Sequence, residues 1–207
     1  MTVPRFTQAT SRAVSILEAD VDTDQIIPAR FLKTTTKDGL ASALFADWRD
    51  RPGFALEDAR LAGRSVLVAG PNFGCGSSRE HASWALAAWG FKAIVAPSFA
   101  DIFRSNALGN GLVTAAISPA AYAALLADLA GDPEVTVDLA ALDVRWVGER
   151  GPTSARFAVD PFRRRLLLDG VDELGYLLSL ASDMARYEAT VPPDRAVGAG
   201  PVPGGPK

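Results

Sequence analysis

Residues 72–86 read Asn-Phe-Gly-Cys-Gly-Ser-Ser-Arg-Glu-His-Ala-Ser-Trp-Ala-Leu and separate two hydrophobic patterns of different kinds. The preceding run, Ser65–Gly70, is short and apolar, which is typical of a buried strand. The residues that follow are rich in Ala, Leu and Trp and predict a helix over Ser78–Trp89. The stretch therefore predicts a strand, a glycine-rich turn and a helix in succession, the repeating unit of an α/β protein.

Two hydroxyls and a guanidinium follow the glycines of this turn. Gly74 and Gly76 allow a sharp bend and a close approach of the backbone to a ligand. Ser77 and Ser78 come next, where the first N–H groups of a helix lack intrahelical partners and carry partial positive charge. Arg79 adds a planar fork of donors that matches a carboxylate or a phosphate. We therefore predict a site for a small anionic substrate.

Ser77 and Glu80 also fit a purely structural interpretation. Ser-x-x-Glu at the start of an apolar helix is the capping-box pattern, which satisfies orphan N–H groups without any chemistry. Capping alone needs neither Arg79 nor the Gly-x-Gly sequence, so a functional turn stays open beside the cap. A dinucleotide fingerprint would place a third glycine near position 79, and no Lys-Ser/Thr pair follows the glycines as in a P-loop.

The rest of the chain alternates between strand and helix patterns. We predict strands at Ser65–Ala69, Ala93–Ala96, Leu112–Ile117, Val135–Leu139, Asp143–Val147 and Ala155–Val159. We predict helices at Ser78–Trp89, Ala100–Ala107 and Pro119–Ala130, and largely helical structure over Phe162–Leu180 with an interruption at Gly170. The expected fold class is α/β, with a mixed sheet flanked by helices in a compact βαβα-type unit.

Three other parts of the chain differ from this alternating pattern. Near the start, Ala13–Ile16 and Ile26–Pro28 flank Asp22-Thr23-Asp24, whose short polar side chains favour a turn. Residues 33–64 predict a long excursion that carries short helices. From Val191 the sequence is rich in Pro and Gly without periodicity, which predicts a disordered tail at 191–207 after a single domain at 1–190.

Composition excludes several classes of protein. The 207 residues include 21 Lys and Arg against 24 Asp and Glu, without a dense basic cluster, which disfavours nucleic-acid binding. No apolar run approaches the roughly 18–20 residues that a membrane span requires. The N-terminal residues lack the apolar core of a signal peptide, so we expect a cytoplasmic protein without a membrane association.

Cys75 is the only cysteine and His81 the only histidine. An iron–sulfur cluster takes several thiolates and a structural zinc site four ligands, so we predict no metal site in this chain alone. Cys75 is either a nucleophile activated by the helix N-terminus or a small half-buried residue in a tight turn. His81 is the only possible base for a Ser-His-Asp arrangement, and its position predicts a hydrogen-bonding residue on the side of the helix.

Gly74–Ala82, Gly-Cys-Gly-Ser-Ser-Arg-Glu-His-Ala, resembles the signature of the swivel domain of the aconitase superfamily. Within it the chain is most similar to the small subunits of bacterial 3-isopropylmalate dehydratases. Val21–Pro28 and two segments around Gly90–Lys92 and Ser98–Phe103 agree with that family. Two further stretches, Phe45–Arg49 and Asp160–Arg164, also agree, so the similarity extends in order over roughly residues 5–190.

The resemblance implies a reaction and assigns residues to it. Members of the superfamily move water reversibly between neighbouring carbons of a hydroxy-polycarboxylate, and a [4Fe–4S] cluster acts as the Lewis acid. By resemblance Ser77 is the general base, Ser78 lies beside it and Arg79 binds a substrate carboxylate. Asp24 corresponds to an active-site aspartate, although the residues alone fit an Asx-turn equally well. A turn rich in donors would stabilise the serine alkoxide that such a base requires.

The resemblance also implies a partner. In this family the cluster-ligating cysteines belong to a separate large subunit, so this chain is expected to be inactive alone and to bind no cofactor itself. The substrate is expected to be a hydroxy-dicarboxylate of leucine biosynthesis, with homoaconitate and citraconate as alternatives. The loop Phe31–Leu40 would select among them, and Leu32 is either an apolar wall for the substrate or ordinary core. A free-standing module for carboxylates or phosphates and a regulatory subunit without activity remain further possibilities.

Overall fold

The computed structural model describes residues 4–33 and 39–190, so the predicted tail at 191–207 lies outside the described residues. The strands are β1 Gln8–Ile16, β2 Val66–Ala69, β3 Ala93–Ala96, β4 Val113–Ala116, β5 Glu134–Asp138, β6 Asp143–Gly148 and β7 Gly151–Arg156. The α-helices are α1 Thr23–Ile26, α2 Leu40–Ala43, α3 Glu80–Trp89, α4 Asp101–Gly109, α5 Pro119–Asp128, α6 Pro161–Asp169, α7 Glu173–Ser179 and α8 Ala181–Thr190. Short 3-10 turns lie at Ala29–Phe31, Ala55–Glu57, Ala59–Leu61 and Leu129–Gly131.

The seven strands of the described residues belong to one mixed sheet with the order β4-β3-β2-β1-β5-β6-β7. The pairs from β1 to β4 are parallel, whereas β5, β6 and β7 are antiparallel to their neighbours. Parallel neighbours require crossover connections, and α3 and α4 supply two of them. The predicted α/β class with a mixed sheet is therefore confirmed.

The core lies on both faces of this sheet. Side chains alternate along a strand, so Leu67 of β2 contributes to the apolar cluster on one face and Val68 to the cluster on the other. Leu86 of α3 covers the first face, and Leu125 of α5 covers the second. Because both faces are covered, β2 and β3 are apolar and buried at every position, as the sequence pattern predicts.

The last strand differs from its prediction. The sequence predicts a strand at Ala155–Val159, but β7 covers Gly151–Arg156 and forms a tight hairpin with β6, in which Gly148 lies opposite Gly151. In the sequence, Pro152 argues against a strand at this position, since proline cannot donate a hydrogen bond to a neighbouring strand. It is tolerated here because β7 is one of the two edge strands of the described sheet. The prediction for the C-terminal helices is confirmed, since α6 ends at a left-handed Gly170.

None of the described helices combines the length and the apolar character that a membrane span needs. The sheet takes its strands from residues 8 to 156, and α6 packs on the face that α5 covers. The division into one domain at 1–190 and a tail stays a prediction.

Candidate active site

Three segments, which contain Val21, Gly74 and Ala100, meet at the edge of the sheet where the parallel strands β1, β2 and β3 end. The backbone N–H of Gly74 donates to the carbonyl of Val21 over 2.8 Å. The N–H of Ala100 donates to the carbonyl of Phe73 over 3.1 Å. Ligands of open α/β sheets bind outside the carboxyl ends of the strands, so this edge is the expected position of a site. Residues 74–79, which we call the serine turn, lie at its centre.

Two glycines give the serine turn its path. Gly74 has a φ of +80° and Gly76 a φ of +85°, which is the left-handed region that side chains disfavour. A Cβ atom on Gly74 would also lie only 2.1 Å from Cγ of Phe103. Phe103 belongs to α4 and is 2% exposed, so it has no space into which to move. The first glycine is therefore required both for its conformation and for its contact with α4.

The capping-box interpretation of Ser77 and Glu80 is wrong. Helix α3 begins at Glu80 instead of Ser78, and Arg79 is its N-cap, whose side chain makes no capping bond to the described residues. The N–H of Arg79 donates to the carbonyl of Ser77 over 2.8 Å, and this tight turn keeps both serines outside the helix. Glu80 instead accepts a hydrogen bond from Nδ2 of Asn110 over 2.8 Å. Ser77 and Ser78 are exposed to solvent.

Asp24 and Arg79 are brought together although 55 residues separate them in the sequence. Nη1 of Arg79 donates to Oδ1 of Asp24 in an ion pair. The Arg79 side chain is 24% exposed and that of Asp24 is 51% exposed, so both reach the surface beside the exposed serines. The structure therefore assembles all four predicted site residues, Asp24, Ser77, Ser78 and Arg79, at one edge of the sheet.

The Asx-turn role belongs to Asp22, not to Asp24. Oδ1 of Asp22 accepts from the N–H of Gln25 over 2.7 Å, and the N–H of Asp22 donates to Oε1 of Gln25 over 2.9 Å. These two bonds form a capping box at the start of α1. Asp24 is consequently not needed as a cap and can present its carboxylate to Arg79.

Cys75 is half-buried, and its thiol donates to the carbonyl of Asp20 over 3.2 Å. Burial raises the pKa of this thiol, and the carboxylates of Asp22 and Asp20 raise the pKa further. A thiol with a raised pKa is protonated at neutral pH and is a weak nucleophile. The local environment thus favours the interpretation of Cys75 as a small residue in a tight turn.

His81 lies on α3, with its ring centroid 4.7 Å from that of Trp84. Among the described residues, no three or more His, Cys, Asp or Glu side chains are grouped closely enough to hold a metal ion. Leu32 is partly buried against the apolar core, as expected of the core interpretation. The central part of the predicted specificity loop, residues 34–38, lies outside the described residues.

Sequence reasoning missed two residues that support the site. Thr23 is 1% exposed, and its hydroxyl donates to the carbonyl of Ser77 over 3.0 Å. Asn110 links the start of α3 to the end of α4, because it contacts Glu80 and also accepts from Nε1 of Trp84 over 2.9 Å. Thr23 stands between Asp22 and Asp24 in a segment that resembles the family, and this position is a signal in the sequence. The sequence around Asn110 gives no such signal.

Comparisons with known proteins assign the chain to a family. The family described as the Aconitase C-terminal domain matches residues 3–120, a range that contains all three segments of the site. The 3-isopropylmalate dehydratase small subunit of Roseiflexus sp. (strain RS-1) is 49% identical over 191 residues, which cover 88% of this chain and 92% of the relative. This chain belongs to the family of 3-isopropylmalate dehydratase small subunits.

Other members of the 3-isopropylmalate dehydratase small-subunit family match as well. The small subunit of Anaeromyxobacter dehalogenans (strain 2CP-C) is 51% identical over 184 residues, covering 86% of this chain and 94% of the relative. The crystal structure of 3-isopropylmalate dehydratase from Methanocaldococcus jannaschii matches with a TM-score of 0.66 at 30% identity. That match covers 87% of this chain and 99% of the other. The resemblance to this family and the swivel-like fold are confirmed.

Proposed function

We propose that this chain is the small subunit of a two-chain hydro-lyase that interconverts 2-isopropylmalate and 3-isopropylmalate by removing and re-adding water, a step of leucine biosynthesis. The observation that carries the proposal is the grouping of Ser77, Arg79 and Asp24 at the carboxyl edge of the sheet in a member of this family. Relatives that share about half of its residues over most of their length bear this name.

Ser77 is the proposed general base that removes the proton from carbon. Its exposed position on the serine turn lets a substrate on the partner's surface reach the hydroxyl. A serine acts as a base only if its alkoxide is stabilised by nearby donors. The N-terminus of α3, a helix of 10 residues, and the guanidinium of Arg79 supply positive potential beside it. Ser78 is proposed to contact the substrate next to this base.

Arg79 is the proposed ligand of a substrate carboxylate, and Asp24 orients the Arg79 guanidinium. The ion pair uses Nη1 of Arg79, and the guanidinium carries five N–H donors in all, so further donors remain for a carboxylate. A carboxylate that binds there must share the arginine with Asp24. This arrangement orients the guanidinium before substrate arrives, which lowers the entropy that binding costs.

The residues of this chain do not fit an iron–sulfur cluster. It has one cysteine, whose thiol donates a hydrogen bond to a backbone carbonyl, and one histidine, which contacts Trp84. Cluster ligation takes several thiolates. We therefore propose that the cluster and its ligands belong to a large partner subunit, and that this chain contributes the base and the carboxylate ligand.

Arg79→Lys should raise KM for isopropylmalate by roughly tenfold or more, because lysine cannot reproduce the planar fork that binds a carboxylate with two parallel hydrogen bonds. The measurement is steady-state kinetics of the assembled complex. Arg104→Lys is a matched control, since Arg104 is an exposed arginine of α4 paired only with Asp101 among the described residues. An unchanged KM in Arg79→Lys would remove this residue from the substrate site.

The proposed function is tested by anaerobic co-expression with a large dehydratase subunit from the same source, followed by an ultraviolet assay of the alkene product. Each chain alone is the control. Turnover of isopropylmalate only by the mixture is the expected result. A cluster-loaded complex that is inactive on isopropylmalate but active on citraconate or homoaconitate would correct the substrate. Failure to form any complex would favour a free-standing binding module.

A further inference from the structure

Thr23 is a polar residue buried beneath the exposed serine turn. It is 1% exposed, its hydroxyl donates to the carbonyl of Ser77 over 3.0 Å, and its N–H donates to the carbonyl of Cys75 over 2.9 Å. A buried hydroxyl that bonds to a backbone carbonyl 54 residues away fixes the relative position of two segments. Thr23 thus contacts the serine turn at two successive points along its path.

Thr23 is itself held firmly. The capping box between Asp22 and Gln25 fixes the first turn of α1 on one side of it. On the other side, Ile26 and Ile27 are fully buried in the core, and the N–H of Ile27 donates to the carbonyl of Thr23 over 3.0 Å. A side chain whose own rotamer is locked by packing and hydrogen bonds is a suitable support for a functional group.

The contact determines the direction of the peptide group that follows Ser77. The carbonyl of Ser77 accepts from both the Thr23 hydroxyl and the N–H of Arg79, so it faces the body of the protein. A peptide group is planar and trans, so the N–H of Ser78 must point the opposite way. The hydroxyl of Thr23 therefore fixes the amide that lies between the two serines.

We propose that Thr23 is a positioning residue, which holds the serine turn so that the Ser77 hydroxyl and the Ser78 amide keep the orientation that proton removal requires. This inference rests on the proposed function. Thr23 touches no reacting atom and acts through the carbonyl of Ser77. Its effect should appear in kcat more than in KM, because the carboxylate ligand Arg79 is oriented separately by Asp24.

The test compares Thr23→Val, which keeps the shape but loses the donor, with Thr23→Ser, which keeps the donor. In the full complex, Thr23→Val should lower kcat by about ten- to a hundredfold, since a shift of about 1 Å at a reacting group has effects of that size. KM and the yield of complex should stay within roughly twofold, because the Ser77 carbonyl retains the Arg79 N–H. Thr23→Ser should keep most of the activity.

Thr10→Val is the matched control, because the Thr10 hydroxyl bonds to that of Thr136 on β5, an exposed pair of the antiparallel half of the sheet. It should leave kcat unchanged. An unchanged kcat in Thr23→Val would overturn the proposal. A fall in kcat that only parallels a loss of assembled complex would also overturn it, since a merely structural role would produce that result.

A second measurement on the free chain separates this inference from the proposed function. Amide hydrogen exchange of residues 74–80 should be at least about fivefold faster in Thr23→Val than in the wild type, and close to the wild type in Thr23→Ser. Equal exchange in all three chains would refute the positioning role. A wild-type complex without dehydratase activity would refute the function, while the exchange rates would still decide whether Thr23 holds the turn.

Discussion

Ser77→Ala should lower kcat of the assembled complex by about 10²–10⁴-fold, the range that a lost general acid or base usually costs. The hydroxyl is exposed, and it does not cap α3, so its removal should change the free energy of unfolding by less than about 0.5 kcal/mol. Activity should therefore disappear while the chain folds and binds its partner as before. Steady-state kinetics and thermal unfolding of the same preparation measure the two effects.

Two neighbouring substitutions sharpen this experiment. Ser78→Ala removes the adjacent exposed hydroxyl and should affect KM more than kcat if Ser78 contacts the substrate. Ser105→Ala removes an exposed hydroxyl on α4 and should change neither constant. If Ser77→Ala retained most of its kcat, Ser77 would not be the base, and the serine turn would serve only to bind the substrate.

Gly74→Ala should reduce the free energy of unfolding by about 2–5 kcal/mol, because a left-handed conformation and an overpacked contact are both imposed on one residue. The added Cβ would lie 2.1 Å from Cγ of Phe103, which packs edge-on against Phe73 with ring centroids 5.5 Å apart. Such a loss is a large part of the stability of a typical domain. Urea unfolding of the free chain measures it.

Gly63→Ala is the matched control for the backbone part of this effect. Gly63 also has a φ of +80°, but an added Cβ would meet no described atom within 4 Å. Its substitution should cost only about 1–2 kcal/mol, the conformational part alone. Equal losses in the two variants would show that Phe103 adapts to the extra methyl group, contrary to the close packing described above.

Local sequence patterns are sufficient to predict the strand, the turn and the helix that carry Ser77, Ser78 and Arg79. The apolar run before Gly70 and the helical pattern after Arg79 are each determined by neighbouring residues, so the turn between them could be located from the sequence alone. The grouping of Ser77, Ser78 and Arg79 followed directly from it. The predicted start of α3 lies two residues before the observed one, since the tight turn at Ser77 competes with a capping box that the sequence fits equally well.

Contacts between distant segments could not be predicted in this way. The pairing of Asp24 with Arg79 depends on the parallel alignment of β1 and β2, which brings the ends of the two strands together. The family resemblance indicated that Asp24 belongs to the site, but its partner followed only from the structure. The same alignment explains why the contact of Thr23 could not be predicted, since its hydroxyl bonds to a carbonyl 54 residues away.

The serine turn and Phe73, the residue before it, have distant backbone partners on both sides in the sequence. Val21 meets Gly74 only after the chain closes a loop of roughly fifty residues, and Phe73 bonds to residues as late as Ala100. Loops of this length make folding slower, because their closure precedes the contacts that stabilise them. During synthesis, this set of contacts therefore stays incomplete until Ala100 has left the ribosome.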